Sequence, residues 1–102
     1  GQDLPQLRKY MESHRLKRIT LFYYGVVDPA VYGVHYDLPS AESLSELKGD
    51  IAVSVSLLQG KGIWGVPTID GRYYSIKDGS LLWLNKFTPV GRAGYSIYIF
   101  HL

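Results

Sequence analysis

The stretch "RITLFYYGVVDPAVYGVHYDLP", Arg18 to Pro39, decides the fold. Its first part, "RITLFYYG", is β-branched and aromatic and is closed by Gly25. Such near-continuous apolarity marks a strand covered on both faces, as inside an α/β sheet. In "VVDPAVYG", Asp28 can cap, Pro29 presets a first turn and Gly33 stops it, so one helical turn is expected. "VHYDLP" reads as a short strand ended by Pro39. The stretch holds Tyr23, Tyr24, Tyr32 and Tyr36. It is either a packed elbow leaving a strand or an exposed aromatic loop that grips a ligand, and the turn residues favour the elbow.

Upstream, Asp3 has the place of an N-cap and Pro5 sits in the first turn, where a missing N–H costs nothing. Leu4, Leu7, Tyr10 or Met11, and His14 recur at helical spacing, which predicts a helix from about Leu4 to Leu16. Arg8, Lys9, Glu12, Arg15 and Lys17 face outward. Downstream, "SAESLSELKG" has Ser40 as a cap, Ser43 and Glu46 at capping-box spacing and Gly49 as a stop, the pattern of a short helix or helical loop. "DIAVSVSLLQG" alternates, predicting a strand over Ile51–Leu57 with its second face tightly covered or partly wet. "TIDGRYYSI" fits a hairpin turning at Asp70-Gly71. "SLLWLNKF" fits a short helix, and "AGYSIYIFHL" a last strand from about Tyr95 to His101.

These elements predict one α/β domain over residues 1–102. About four strands form a mixed sheet, with Val34–Asp37 at an edge, and the first helix and one or two shorter ones pack on it. A β-sandwich is the alternative if the first helix is peripheral.

Composition narrows the functions. The formal charge is +2, too small to argue for nucleic acid, and the basic run from Arg8 to Arg18 is explained by a solvated helix face. There is no cysteine, which excludes zinc-thiolate sites and disulfides. Apolar runs are only a few residues long, so no segment spans a bilayer. The chain starts at Gly1 without a signal peptide, which suggests a piece excised from a longer protein.

No catalytic constellation emerges. His14, His35 and His101 have no metal-ligand spacing, so neither metal nor cofactor is expected. Asp28, Asp37 and Asp50 sit beside turns, where aspartate bonds nearby N–H groups. No serine lies in a Gly-x-Ser-x-Gly elbow, and "GKGIWG" lacks the Gly-Lys-Ser/Thr of a phosphate loop. The excess is aromatic: nine Tyr, three Phe and two Trp. Such rings serve packing, or stack on the apolar face of a sugar. Trp64, Tyr73 and Tyr74, in the irregular segment, are the candidates for ligand contact, with Asp28 and Tyr32 of the elbow beside them.

"GQDLPQLRKYM", "ITLFYYGVVDPAVYGVHYDLP", "GDIAVSVSLLQG" and "PVGRAGYSIYIFHL" together resemble the soluble C-terminal domain of bacterial multi-spanning membrane glycosyltransferases. These belong to the dolichyl-phosphate-mannose protein mannosyltransferase-like superfamily. The likeness lies in the order and spacing of these motifs across both ends and the centre. Val26-Val27 and the longer, glycine-rich Lys61–Asp78 segment depart from the pattern. What the resemblance implies is an accessory domain on the extracytoplasmic (periplasmic) side of a bacterial inner membrane. Its partner would be the transmembrane part of the parent protein, and glycan or a polyprenyl-phosphate-linked sugar would be near. The catalytic acid of such enzymes lies on a loop between early transmembrane helices, so no catalytic residue carries over. A purely structural or protein-interaction domain is the other reading, and independent enzymatic activity the least favoured.

Overall fold

The computed structural model describes residues 3–25, 27–67 and 71–102. The α/β expectation holds: among the described residues the mixed sheet has five strands rather than about four, and a hairpin adds two more. The main sheet contains β1 (Ile19–Phe22), β2 (Tyr36–Asp37), β3 (Asp50–Ser54), β6 (Gly91–Ala93) and β7 (Ile97–His101), in the order β2-β1-β3-β7-β6. β1 runs parallel to β2 and β3, while β7 is antiparallel to β3 and β6. A separate antiparallel pair joins β4 (Ile63–Pro67) to β5 (Tyr73–Ile76). The two sheets do not form a sandwich, because the second is only this hairpin.

Side-chain alternation explains why both faces are covered. Ile19 and Leu21 of β1, Ala52 of β3 and Ile97 and Ile99 of β7 form one cluster with Leu4, Leu7 and Met11 of α1 (Leu4–Ser13). Phe22, Ile51, Val53 and Phe100 point the other way. They meet Leu44 and Leu47, Leu57 and Leu58 of α2 (Val55–Leu58), Ile63 and Ile76 of the hairpin, and Leu81 and Leu84. Small Ala52, fully buried, suits the face on which α1 lies.

Several features differ from expectation for local reasons, besides the shorter edge strand, Tyr36–Asp37 instead of Val34–Asp37, and a last strand that begins at Ile97 rather than Tyr95. First, α1 stops at Ser13 rather than Leu16. Arg15 takes φ 55°, and its N–H bonds to Glu12 O while Leu16 N–H bonds to Met11 O, the pair of bonds that closes a Schellman motif. His14, expected on the inner edge, is instead exposed at the C-cap and stacked on Tyr10 at 3.9 Å. Second, Asp3 makes no capping bond to α1. Its carboxylate accepts from Tyr95 N at 3.1 Å and Ser96 N at 2.7 Å, fastening the helix start to the β6–β7 turn. The bonds to Ser96 hold its pKa below the usual carboxylate value. Third, β3 ends at Ser54, and Val55–Leu58 make a helical turn, so the expected strand to Leu57 is too long. Val55 N–H leaves for Ser96 O at 2.6 Å, and Leu57 and Leu58, both buried, break the alternation. Fourth, the last segment is a hairpin whose first strand, β6, has no clear period in the sequence and was not expected.

The short helix expected after Ser40 is a 3-10 turn over Ala41–Glu46, without a capping bond from Ser40. A second such turn covers Leu82–Lys86. Asp70, expected at the hairpin's tip, lies outside the described residues. Among the described residues no helix is long and apolar enough to cross a membrane.

Candidate functional site: the elbow groove

In sheets of this kind a ligand crevice opens at the carboxyl ends of neighbouring parallel strands whose connections part to opposite faces. Here that place lies between β1 and β3. The chain leaving β1 sends Tyr32 and Val34 to the α1 face, and the chain leaving β3 sends Leu57 and Leu58 of α2 to the other. The crevice is closed, however. Tyr24 N–H donates to buried Ser54 Oγ at 2.8 Å, drawing the two strand ends together.

The open space lies on the other side of β1. β2 pairs with it only at Ile19–Tyr36 and Thr20–Asp37, and Pro39 has no N–H with which to extend the ladder. The chain after Asp37 therefore diverges from β1. The β4–β5 hairpin crosses beside the gap, where the Tyr74 hydroxyl donates to Pro39 O at 2.8 Å. Two adjoining cavities result. A narrow one of about 90 Å³ lies among Leu21, Tyr23, Asp28, Tyr36, Val66 and Tyr74. A wider groove of about 710 Å³ is lined by Arg18, His35, Tyr36, Arg72, Tyr73 and Tyr74. Tyr36, Leu38 and Tyr74 border both.

The elbow sets the wall of the narrow cavity. A 3-10 turn covers Pro29–Tyr32, with Asp28 as its N-cap and Gly33 left-handed at φ 79° as its stop. This is the helical turn expected from the sequence. Asp28 Oδ1 accepts from Ala30 N at 3.0 Å and from the Tyr36 hydroxyl at 2.9 Å. Along the groove, Arg18 lies against β2. Its Nε and Nη2 donate to Asp37 Oδ1 at 3.0 and 2.7 Å, and Nη2 also donates to Tyr36 O at 2.8 Å. That ion pair is exposed and adds little stability, but it fixes the guanidinium beside Tyr36.

The structure brings together three of the five residues singled out from the sequence. Asp28 lines the narrow cavity, Tyr73 the groove and Tyr74 both. Tyr32 lies apart, packed on the α1 cluster. Trp64 lies apart as well, 64% exposed on the hairpin, its Nε1 donating to Asp78 Oδ1 at 3.2 Å. Sequence reasoning missed Tyr36, Arg18, His35 and Arg72. Tyr36 had a signal, since a tyrosine eight residues beyond a turn aspartate can fold back on it. Arg72 had none. Among the described residues no group of three His, Asp or Glu could hold a metal ion.

Asp28→Asn is expected to cost less than Asp28→Ala in denaturant melts. Asn keeps an acceptor for Ala30 N–H and the Tyr36 hydroxyl, whereas Ala strands both, at about 1–2 kcal/mol. Equal, large losses would mean that the charge itself is needed.

The two tyrosines that border both cavities also make stability depend on alkaline pH. Burial, aided by the bond to Asp28, pushes the Tyr36 hydroxyl from 10.0 up to about 12. Burial alone pushes Tyr74 to about 12. The folded chain holds these protons more tightly than the unfolded one. Their contribution is thus complete below the unfolded value and is lost as pH rises through the folded one. Between pH 10 and 12 the Tyr36→Phe, Tyr74→Phe double variant is expected to lose stability less steeply than the parent. Equal slopes would show that neither hydroxyl is shielded.

Fold and site together define a small mixed α/β domain with an aromatic surface groove. Comparisons with family models, with curated proteins and with solved structures find no match to this chain.

Proposed function

We propose that this chain is the accessory domain of a membrane-embedded glycosyltransferase that uses a polyprenyl-phosphate-linked sugar. It lies on the extracytoplasmic side of a bacterial inner membrane, beside the transmembrane part of its parent, where catalysis resides. Its groove helps hold glycan or acceptor near the catalytic loops. The observation that best supports this reading is the chemistry of the groove wall. Tyr36, Tyr73 and Tyr74 offer rings to the apolar face of a sugar, and Arg18, His35 and Arg72 offer donors to its hydroxyls or to a phosphate.

Oligosaccharides and polyprenyl-phosphate headgroups titrated into the 102-residue chain, followed by amide shifts, test the reading. Saturable shifts at Tyr36, Tyr73 and Tyr74 are expected. No perturbation at millimolar ligand favours the second reading, a structural or protein-interaction domain without a ligand. The internal bonds of Asp28, Tyr36 and Tyr74 support that alternative. The sequence encoded upstream of Gly1 bears on the class itself: a series of apolar spans agrees with it, and a soluble domain there overturns it.

A further inference from the structure

The narrow cavity differs in chemistry from the groove beside it. Its lining includes Tyr23, Tyr36 and Tyr74, aliphatic Leu21, Val27, Leu38, Ile63 and Val66, and one acidic residue, Asp28. Among the described residues no lysine, arginine or histidine lines it. Both hydrogen bonds to Asp28 fall on Oδ1. A carboxylate has about four lone-pair sites, and among the described residues Oδ2 accepts no bond. Asp28 therefore brings a negative charge into an apolar volume without a cationic partner in the described wall. A cavity of about 90 Å³ takes a group of a few heavy atoms.

Tyrosine rings and one carboxylate around a small volume are what an alkylammonium group requires. The ring faces attract the cation, the carboxylate balances its charge, and the aliphatic walls hold its methyl or methylene groups. We propose that this cavity is a binding site for an alkylammonium group, seated among Tyr23, Tyr36 and Tyr74 with Asp28 as its counter-ion. An anion is disfavoured by Asp28, and a neutral apolar group would leave that charge unbalanced. The proposal is independent of the glycan reading, since it concerns the narrow cavity, whose lining includes neither Arg18 nor Arg72 of the groove.

The test compares choline with 3,3-dimethyl-1-butanol, its neutral isostere, in amide-shift titrations of the 102-residue chain at fixed ionic strength. Choline is expected to give saturable shifts centred on Asp28, Tyr36 and Tyr74. The neutral isostere should bind about tenfold more weakly or worse, since it loses the charge-dependent part of the attraction. Asp28→Asn, which keeps the turn's acceptor, should weaken choline and leave the isostere unchanged. Phosphatidylcholine vesicles then separate the sources. Broadening of the same amides identifies a lipid headgroup, and its absence a free amine; the site stands in either case. Equal affinity for choline and the isostere overturns the proposal, as does the absence of saturable shifts at these residues. The ligand comparison uses the unmodified chain, so it remains decisive even if Asp28→Asn folds poorly.

Discussion

Phe22→Ala is expected to cost about 3–5 kcal/mol, the usual range for emptying a fully buried phenylalanine site. Phe22 is 0% exposed and lies at the end of β1, among Leu44, Ile51, Val53 and Phe100. No neighbour can collapse into the space cheaply, because sheet backbone bounds it on one side and the 3-10 turns and hairpin on the other. Whole domains are stable by only about 5–15 kcal/mol, so the variant should be barely folded. Denaturant melts measure the loss. A cost below about 1 kcal/mol would fit a half-exposed strand. The second covered face of the sheet would then have to be given up.

Gly62→Ala should give the next largest loss, for a different reason. A Cβ there would meet Ile76 O, with Asp78 N and Lys77 C both at 2.8 Å. All three are backbone atoms of the partner strand and its end, so no side chain can rotate away. The hairpin would have to open, losing the bond from Gly62 N to Asp78 Oδ1 and shifting Tyr74 off Pro39. Overpacking of this kind costs about 1–3 kcal/mol and sometimes more. Gly65→Ala is the control. Nothing lies within 4 Å of its Cβ, but its φ of 63° favours glycine. Its cost should stay within about 1–2 kcal/mol, the strain of a left-handed alanine, and leave the groove in place. Equal effects from the two would mean that the hairpin is not seated as described.

The sequence was most legible where one local pattern had no rival. The 3.6-residue period from Leu4, the apolar run of β1 and the Asp-Pro…Gly signal of the elbow each match an element. Legibility failed where the deciding partner is remote. Asp3 reads as a cap from its neighbours, yet its bonds go to Tyr95 and Ser96 at the other end of the chain. The alternation of "AVSVSL" runs through Ser54 without a break, and only the pull of Ser96 on Val55 shows where β3 stops. β4 was hidden because its register shifts between Ile63 and Val66, which erases the period of two. The site was half legible for the same reason. Asp28, Tyr73 and Tyr74 could be picked out as polar or aromatic residues beside turns. Tyr36 was read as a strand residue, and its role follows only once β2 is seen to diverge at Pro39 and the hairpin to cross beside it.

Both functional readings of the cavities depend on that crossing. Ring-to-backbone NOEs in the 102-residue chain test it directly. The expected result is contact of the Tyr74 ring with Leu38 and Pro39, together with contact of the Tyr36 ring with the elbow at Asp28 and Pro29. Native dispersion throughout the main sheet without the Tyr74 contacts would place the hairpin elsewhere. Neither the groove nor the cavity beside it would then exist as described.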